Sequence, residues 1–193
     1  MSALAEAYKF SVDEFIRLEQ VGILEEHDRV ELLEGEIIIM HAIGFRHGEA
    51  VTNLISEFMD QSQKRFALSP QNPVWLEESS LPQPDVALVP RNRRKRHHPK
   101  SDEVYLIVEV SDSSLAYDRG RKLPLYARFG VREYWIVNLI DDVIETYRDP
   151  EGDTYREVRV RRSGEILARQ AFPDVLIAVD AIIPEHFEDE AQK

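Results

Sequence analysis

The sequence predicts an α/β or α+β domain built around a β-sheet. Two observations point there: apolar residues recur at helical spacing in separate segments, and short strand-like runs lie between and after them. The resulting order of helix, several strands, helix and strand belongs to sheet domains covered by helices. A chain of 193 residues with 43% hydrophobic and 9% aromatic content supports one well-buried core and is short for two ordinary domains. One domain over 1–193 is therefore expected, and no internal repeat or low-complexity linker interrupts it.

Phe10-Ser11-Val12-Asp13-Glu14-Phe15 reads as a helix start. Ser11 caps, Glu14 closes a capping box, Phe10 and Phe15 make a hydrophobic staple, and the helix runs to about Gln20. Residues 30–40 read as two short extended runs meeting at Glu34-Gly35, a hairpin. From His47 to about Phe66, Val51, Leu54, Ile55 and Phe58 recur at helical spacing and define the principal helix. Val74-Trp75-Leu76 is a predicted strand. Pro82-Gln83-Pro84 then breaks structure before the apolar strand Asp85-Val86-Ala87-Leu88-Val89, which Pro90 ends. A basic loop over 91–100 precedes 104–110, the most strand-like run of the chain, with Glu109 near its end. Ser111 to Ser114 lead into a helix from about Asp118 to Phe129, closed by Gly130, and 134–137 returns as a buried strand. Further strands are expected at 143–147, 155–160 and 175–179.

Composition narrows the function. A formal net charge of -12 argues against a protein that coats nucleic acid, because that affinity comes from Lys and Arg displacing counterions, but it leaves room for an enzyme with a carboxylate site. With no cysteine there are no disulfides and no thiolate metal sites, so any metal sits on oxygen or imidazole, which favours a hard ion such as magnesium or manganese. There is no run long and apolar enough for a membrane span, and residues 1–9 lack the basic and apolar regions of a signal peptide, so a soluble, cytoplasmic protein is expected.

Asp85 and Glu109 each stand at the boundary of an apolar strand, where adjacent strands can bring them together. Two converging carboxylates make a hard-cation site, and two strand-end carboxylates facing water fit the spacing equally well. Lys122 follows on the predicted helix. Such a lysine is ordinarily a solvated surface residue, but a helix packing back over the strand of Glu109 aims its ammonium at the same place. His47 at the start of the principal helix reads either as a ligand or phosphate contact or as an ordinary hydrogen-bonding histidine. Glu31 and Glu36 on the hairpin either extend the acidic site, Glu31 ahead of Glu36 because it precedes Leu32-Leu33, or are surface charges. Asp118 is placed to orient Lys122 at helical spacing, whereas Glu133, Tyr134 and Trp135 belong with packing. The basic run 91–100 reads as a phosphate-contacting arm or as a solvated loop, since no aromatic residue interleaves it, and His97-His98 lacks further ligands nearby.

Glu31-Leu-Leu-Glu-Gly-Glu36, Arg46-His47, Pro84-Asp85, Val108-Glu109-Val110, Asp118-Arg-Gly-Arg-Lys122 and Gly130-Val-Arg-Glu-Tyr-Trp135, in this order, resemble the Uma2 family of PD-(D/E)XK restriction-endonuclease-like proteins. The resemblance spans about 10–184. It implies a central mixed sheet flanked by helices, with the N-terminal hairpin and C-terminal strands as additions, and it assigns Asp85 and Glu109 as the metal-binding acids. The signature's lysine would fall two residues after Glu109, but that residue is Ser111, so Lys122 supplies the cation from the following helix. Two classes of function follow. The first is a Mg2+ (or Mn2+)-dependent endonuclease hydrolysing DNA, with Asp85, Glu109 and Lys122 at the centre and Glu31 or His47 completing the site. The second is a nuclease-like binding or assembly module with little or no catalysis, and a hydrolase or ligase-like enzyme on another phosphate substrate is a third option. No helix-turn-helix or zinc finger is present, and a homodimer formed through the C-terminal strands is a further expectation.

Overall fold

The computed structural model describes residues 6–25, 29–40, 42–93 and 97–186. The first helix, α1 (Val12–Gln20), has the capping box read from the sequence: Glu14 N–H donates to Ser11 Oγ while the Glu14 carboxylate accepts from Ser11 N–H. Next comes the antiparallel hairpin of β1 (Val30–Leu33) and β2 (Glu36–Ile39). Its two turn residues, Glu34 and Gly35, have φ of 50° and 78°, the positive pair that a tight hairpin turn demands. Glycine is needed at 35 for a second reason, because a Cβ there would lie 2.7 Å from Cβ of Lys9.

The core is a six-stranded mixed sheet in the order β3 (Phe66–Pro70), β4 (Val86–Pro90), β5 (Leu106–Ser111), β6 (Glu133–Asn138), β7 (Val143–Glu151) and β8 (Thr154–Arg161). All neighbours are antiparallel except β5 and β6, which are parallel and therefore need a crossover. The crossover is one run of helical backbone: α3 (Leu115–Tyr117), a π-helical turn (Asp118–Lys122) and α4 (Leu123–Arg128). Helix α2 (Phe45–Gln61) covers the other face of the sheet.

Alternation along the strands divides the core in two. Leu106, Val108 and Val110 of β5 pack with Ala50, Val51, Leu54 and Phe58 of α2, whereas Ile107 packs with Leu125, Tyr126 and Ala127 of the crossover. Glu109 lies two residues beyond Ile107, so strand geometry turns it toward the crossover helix. On the α2 side the hairpin of β9 (Ile166–Ala168) and β10 (Leu176–Ala178) adds Leu167 and Ile177 to the core. There the buried guanidinium of Arg169 lies over the rings of Phe58 and Phe66, at 4.7 and 4.8 Å.

The expected mixed sheet flanked by helices, with its added hairpins, is present, and several boundaries differ. The principal helix stops at Gln61 rather than near Phe66, because Gln63 and Lys64 adopt positive φ and turn the chain into β3. The predicted strand 74–76 makes only one isolated bridge, Trp75 with Lys100, and another, Glu77 with Ser80, follows it. Pro90 is paired with Phe66 at the end of β4 instead of lying beyond it. The crossover helix begins at Leu115, three residues before Asp118. In the basic run, Arg94, Lys95 and Arg96 lie outside the described residues.

Candidate active site

The register of β4 with β5 pairs Val86 with Val108, which sets Asp85, one step before β4 begins, across from Glu109. Their backbones and carboxylates interlock: Val110 N–H donates to Asp85 Oδ2 at 2.8 Å, and Asp85 N–H makes a long contact of 3.4 Å to Glu109 Oε2. From the crossover helix, Lys122 Nζ and Tyr126 Oη both donate to Glu109 Oε1, at 3.1 and 2.8 Å. Lys122 and Tyr126 are four residues apart, hence on one helical face.

Glu31 joins from β1. Its Oε2 lies 3.2 Å from Lys122 Nζ and accepts from Gln83 N–H, while its Oε1 accepts from Tyr117 Oη at 3.3 Å. From the first turn of α2, His47 Nε2 lies 3.0 Å from Asp85 Oδ1, close but outside hydrogen-bonding alignment. The five residues Glu31, His47, Asp85, Glu109 and Lys122 thus converge from five segments of the chain on one cavity of about 500 Å³. Glu36 does not reach it and pairs instead with Lys9 and Arg121 on the surface. Asp118 lines the same cavity, but its carboxylate accepts from Ser111 and Ser114 rather than forming the expected ion pair with Lys122. Glu133 accepts from Trp135 Nε1 and Arg148, which is packing and local hydrogen bonding as read from the sequence.

Electrostatically, four carboxylates surround one ammonium. Glu31, Asp85, Glu109 and Lys122 are 1%, 8%, 3% and 4% exposed, so solvent screens little of the imbalance. Burial pushes the Glu109 carboxyl well above its usual pKa, Asp118, Asp85 and Glu31 push the same way, and Lys122 opposes them. Burial pulls the Lys122 ammonium down, yet Glu109, Glu31 and Asp118 outweigh it and raise its pKa well above normal. Asp118 is raised by burial against the pull of Lys122 and the two serine hydroxyls. The Lys122 direction reports an excess of negative charge around the ammonium, and at Glu109 the neighbouring acids add to the effect of burial; a divalent cation would relieve that excess.

The donors nearest that excess, Asp85 and Glu109, offer only oxygen. Among the described residues no three His, Asp or Glu side chains are grouped to hold a metal unaided. Two carboxylate oxygens of this kind fit a hard divalent ion, which takes one or two carboxylates and keeps several waters.

Tyr126 and Tyr117 escaped the sequence reading, because a tyrosine on a helix face ordinarily signals core; the signal for Tyr126 was its spacing of four from Lys122. The Gln83 N–H contact had no signal, being a backbone group.

The chain belongs to the Uma2 family, described as "Putative restriction endonuclease", whose model matches residues 12–180. Among solved structures, a crystal structure of "a putative nuclease belonging to DUF820 from Anabaena variabilis ATCC 29413" superposes with a TM-score of 0.71 at 15% identity, covering 90% of this chain and 97% of that one, and shows the shared fold. No curated protein matches the chain.

Proposed function

We propose that this protein is a Mg2+- or Mn2+-dependent endonuclease that hydrolyses DNA phosphodiester bonds. The observation that carries the reading is the placement of Asp85 opposite Glu109 with the Lys122 ammonium 3.1 Å from Glu109. Asp85 Oδ1, beside His47, and Glu109 Oε2, which keeps only the long contact from Asp85 N–H, are the oxygens placed to hold the ion, since Oδ2 of Asp85 and Oε1 of Glu109 are taken by Val110, Lys122 and Tyr126. When bound, the ion supplies Lewis acidity that polarises a phosphoryl oxygen and acidifies the attacking water. Lys122 orients that water and offsets charge developing on the phosphoryl oxygens. Glu31 and Glu109 hold the ammonium in place between them, and His47 borders Asp85, where it contacts a phosphate oxygen or steers the carboxylate. Water oxygen bonds to phosphorus and gives its proton up to solvent, the bond from phosphorus to the leaving sugar oxygen breaks, and a proton from solvent completes the alcohol.

The proposal takes 1–193 as one nuclease-like domain, cytoplasmic, acting as a homodimer that sets two sites against opposite strands. A second reading, a binding or assembly module with little catalysis, draws on one observation: Lys122 is already shared between two acids. Incubation of supercoiled plasmid with the native protein in magnesium, manganese or EDTA separates the two. Nicked or linear product with either metal and none in EDTA supports the nuclease; intact plasmid in all three supports the module.

A further inference from the structure

The six-stranded sheet has two edges, and they differ. At one edge β3 is five residues long, half-buried along most of its length, and ends in Pro70, which has no N–H to offer another strand. At the other edge β8 runs over eight residues in one register with β7, and among the described residues no strand pairs with its outer side. It contains neither proline nor glycine, and two of its valines, Val158 and Val160, are 52% and 41% exposed. A long edge of this kind is a template for another strand, and charged side chains are what ordinarily blunt it.

The charges of β8 are instead self-complementary. Val158 and Val160 pair with Tyr147 and Glu145, on the crossover-helix side of the sheet, whereas Glu157, Arg159 and Arg161 pair with Arg148, Thr146 and Ile144, on the α2 side. A second copy joined edge to edge about a two-fold axis perpendicular to the sheet runs antiparallel and keeps both faces aligned, so one residue of β8 meets its own copy on the axis. Centring that axis on Val158 sets Val158 against the partner's Val158, Glu157 against the partner's Arg159, and Arg159 against the partner's Glu157. Val160 then faces the aliphatic stem of the partner's Arg156. Centring it on Arg156, Glu157 or Arg159 puts like charges face to face on the axis, and centring it on Val160 puts Arg159 against the partner's Arg161. Within one chain Arg159 Nε lies 2.8 Å from Glu157 Oε1 yet out of hydrogen-bonding alignment, so a partner has no hydrogen bond between them to break.

We propose that β8 is the surface through which two copies of this chain join, merging their sheets across a two-fold axis at Val158. This rests on the homodimer reading above and names its surface; the two candidate sites are then related by the same axis. Sedimentation velocity of the full-length protein at micromolar concentration tests it through charge reversal. Glu157→Arg sets arginine against arginine in both cross-strand pairs, and Arg159→Glu sets glutamate against glutamate. Each variant alone self-associates at least roughly tenfold more weakly than the native protein, with folding intact by circular dichroism. Mixed in equal amounts, the two variants form a heterodimer, because both cross-strand pairs are again of opposite sign. Nothing within either chain is restored, so the recovery reports the contact between chains alone. A monomeric native protein, a native dimer that neither reversal weakens, or weakened variants that do not recover on mixing overturns the proposal. The second of these outcomes leaves a homodimer through another surface, whereas the first removes both. Plasmid cleavage is scored separately: metal-dependent cutting by a monomer removes this inference and leaves the nuclease standing, and a β8 dimer without metal-dependent cutting does the reverse.

Discussion

Glu109 Oε1 accepts from both Lys122 and Tyr126, which fixes the carboxylate's rotation and leaves Oε2 on the side of Asp85. A metal-binding carboxylate gains affinity when such contacts hold it in one orientation. Tyr126→Phe therefore keeps the packing of the ring and loses one buried hydrogen bond. We expect destabilisation of about 1–2 kcal/mol in urea titration and manganese binding weakened roughly tenfold by electron paramagnetic resonance; an unchanged manganese affinity would reduce Tyr126 to a packing residue. At this scale the sequence was most informative about acids. Asp85 and Glu109 stood out because a charge at the edge of an apolar strand demands an explanation, and Glu31 because it leads into Leu32-Leu33. Lys122 was identifiable only through the ordered family motifs, since a lone helical lysine carries no signal of burial.

The crossover between β5 and β6 delivers Asp118, Lys122 and Tyr126 to one side of the sheet, and it does so through the π-helical turn Asp118–Lys122. A π turn holds one residue more than an α-helical turn and is common at functional sites. Deleting Gly120, an exposed residue with nothing near it, should restore regular α-helix and rotate Lys122 and Tyr126 by roughly 100° relative to the preceding turn. The expected result is helical circular dichroism near native with manganese binding lost; retained binding would show that the turn is not what aims these side chains. Farther along, β7 supplies Glu145, which accepts from Arg119, Tyr147 and Asn138. Burial raises its pKa, but these donors outweigh burial and set it below the usual 4.5. A carboxyl with a folded value below its unfolded value stabilises the protein above the unfolded pKa and loses that contribution as pH falls through the folded one. Glu145→Gln should then lower the urea midpoint at neutral pH and flatten its fall below about pH 4.5; an identical acid limb would contradict the assignment. Elements were legible where turns had chemical punctuation. The Glu34-Gly35 hairpin and the Ser11 cap were found from their residues, while the break at Gln63-Lys64 was missed because neither residue type announces positive φ. Between Pro73 and Pro82, strand propensity in Val74-Trp75-Leu76 yielded to isolated bridges.

At the scale of the whole molecule, the proposed function requires that the folded state, with Glu31, Asp85, Glu109 and Asp118 around the buried Lys122, gain from a divalent cation. Binding only to the folded form stabilises it by about 2.7 kcal/mol at a hundredfold excess over the dissociation constant. Magnesium or manganese should thus raise the melting temperature of the native protein and leave that of Asp85→Asn unmoved. A rise of equal size in the variant would place the ion elsewhere. Among the described residues no helix is long and apolar enough to cross a membrane. The order of elements was enough to foresee a sheet with helices on it, but not which strand neighbours which, since β5 lies beside β6 only through the long crossover. The most direct test of the central claim is a cleavage assay on supercoiled DNA in magnesium or manganese, comparing the native protein with Asp85→Ala, Glu109→Ala and Lys122→Ala, each checked for folding by circular dichroism. The account predicts metal-dependent cleavage that falls by at least ~10²-fold in every variant; no cleavage by the native protein, or equal cleavage by the folded variants, would contradict it.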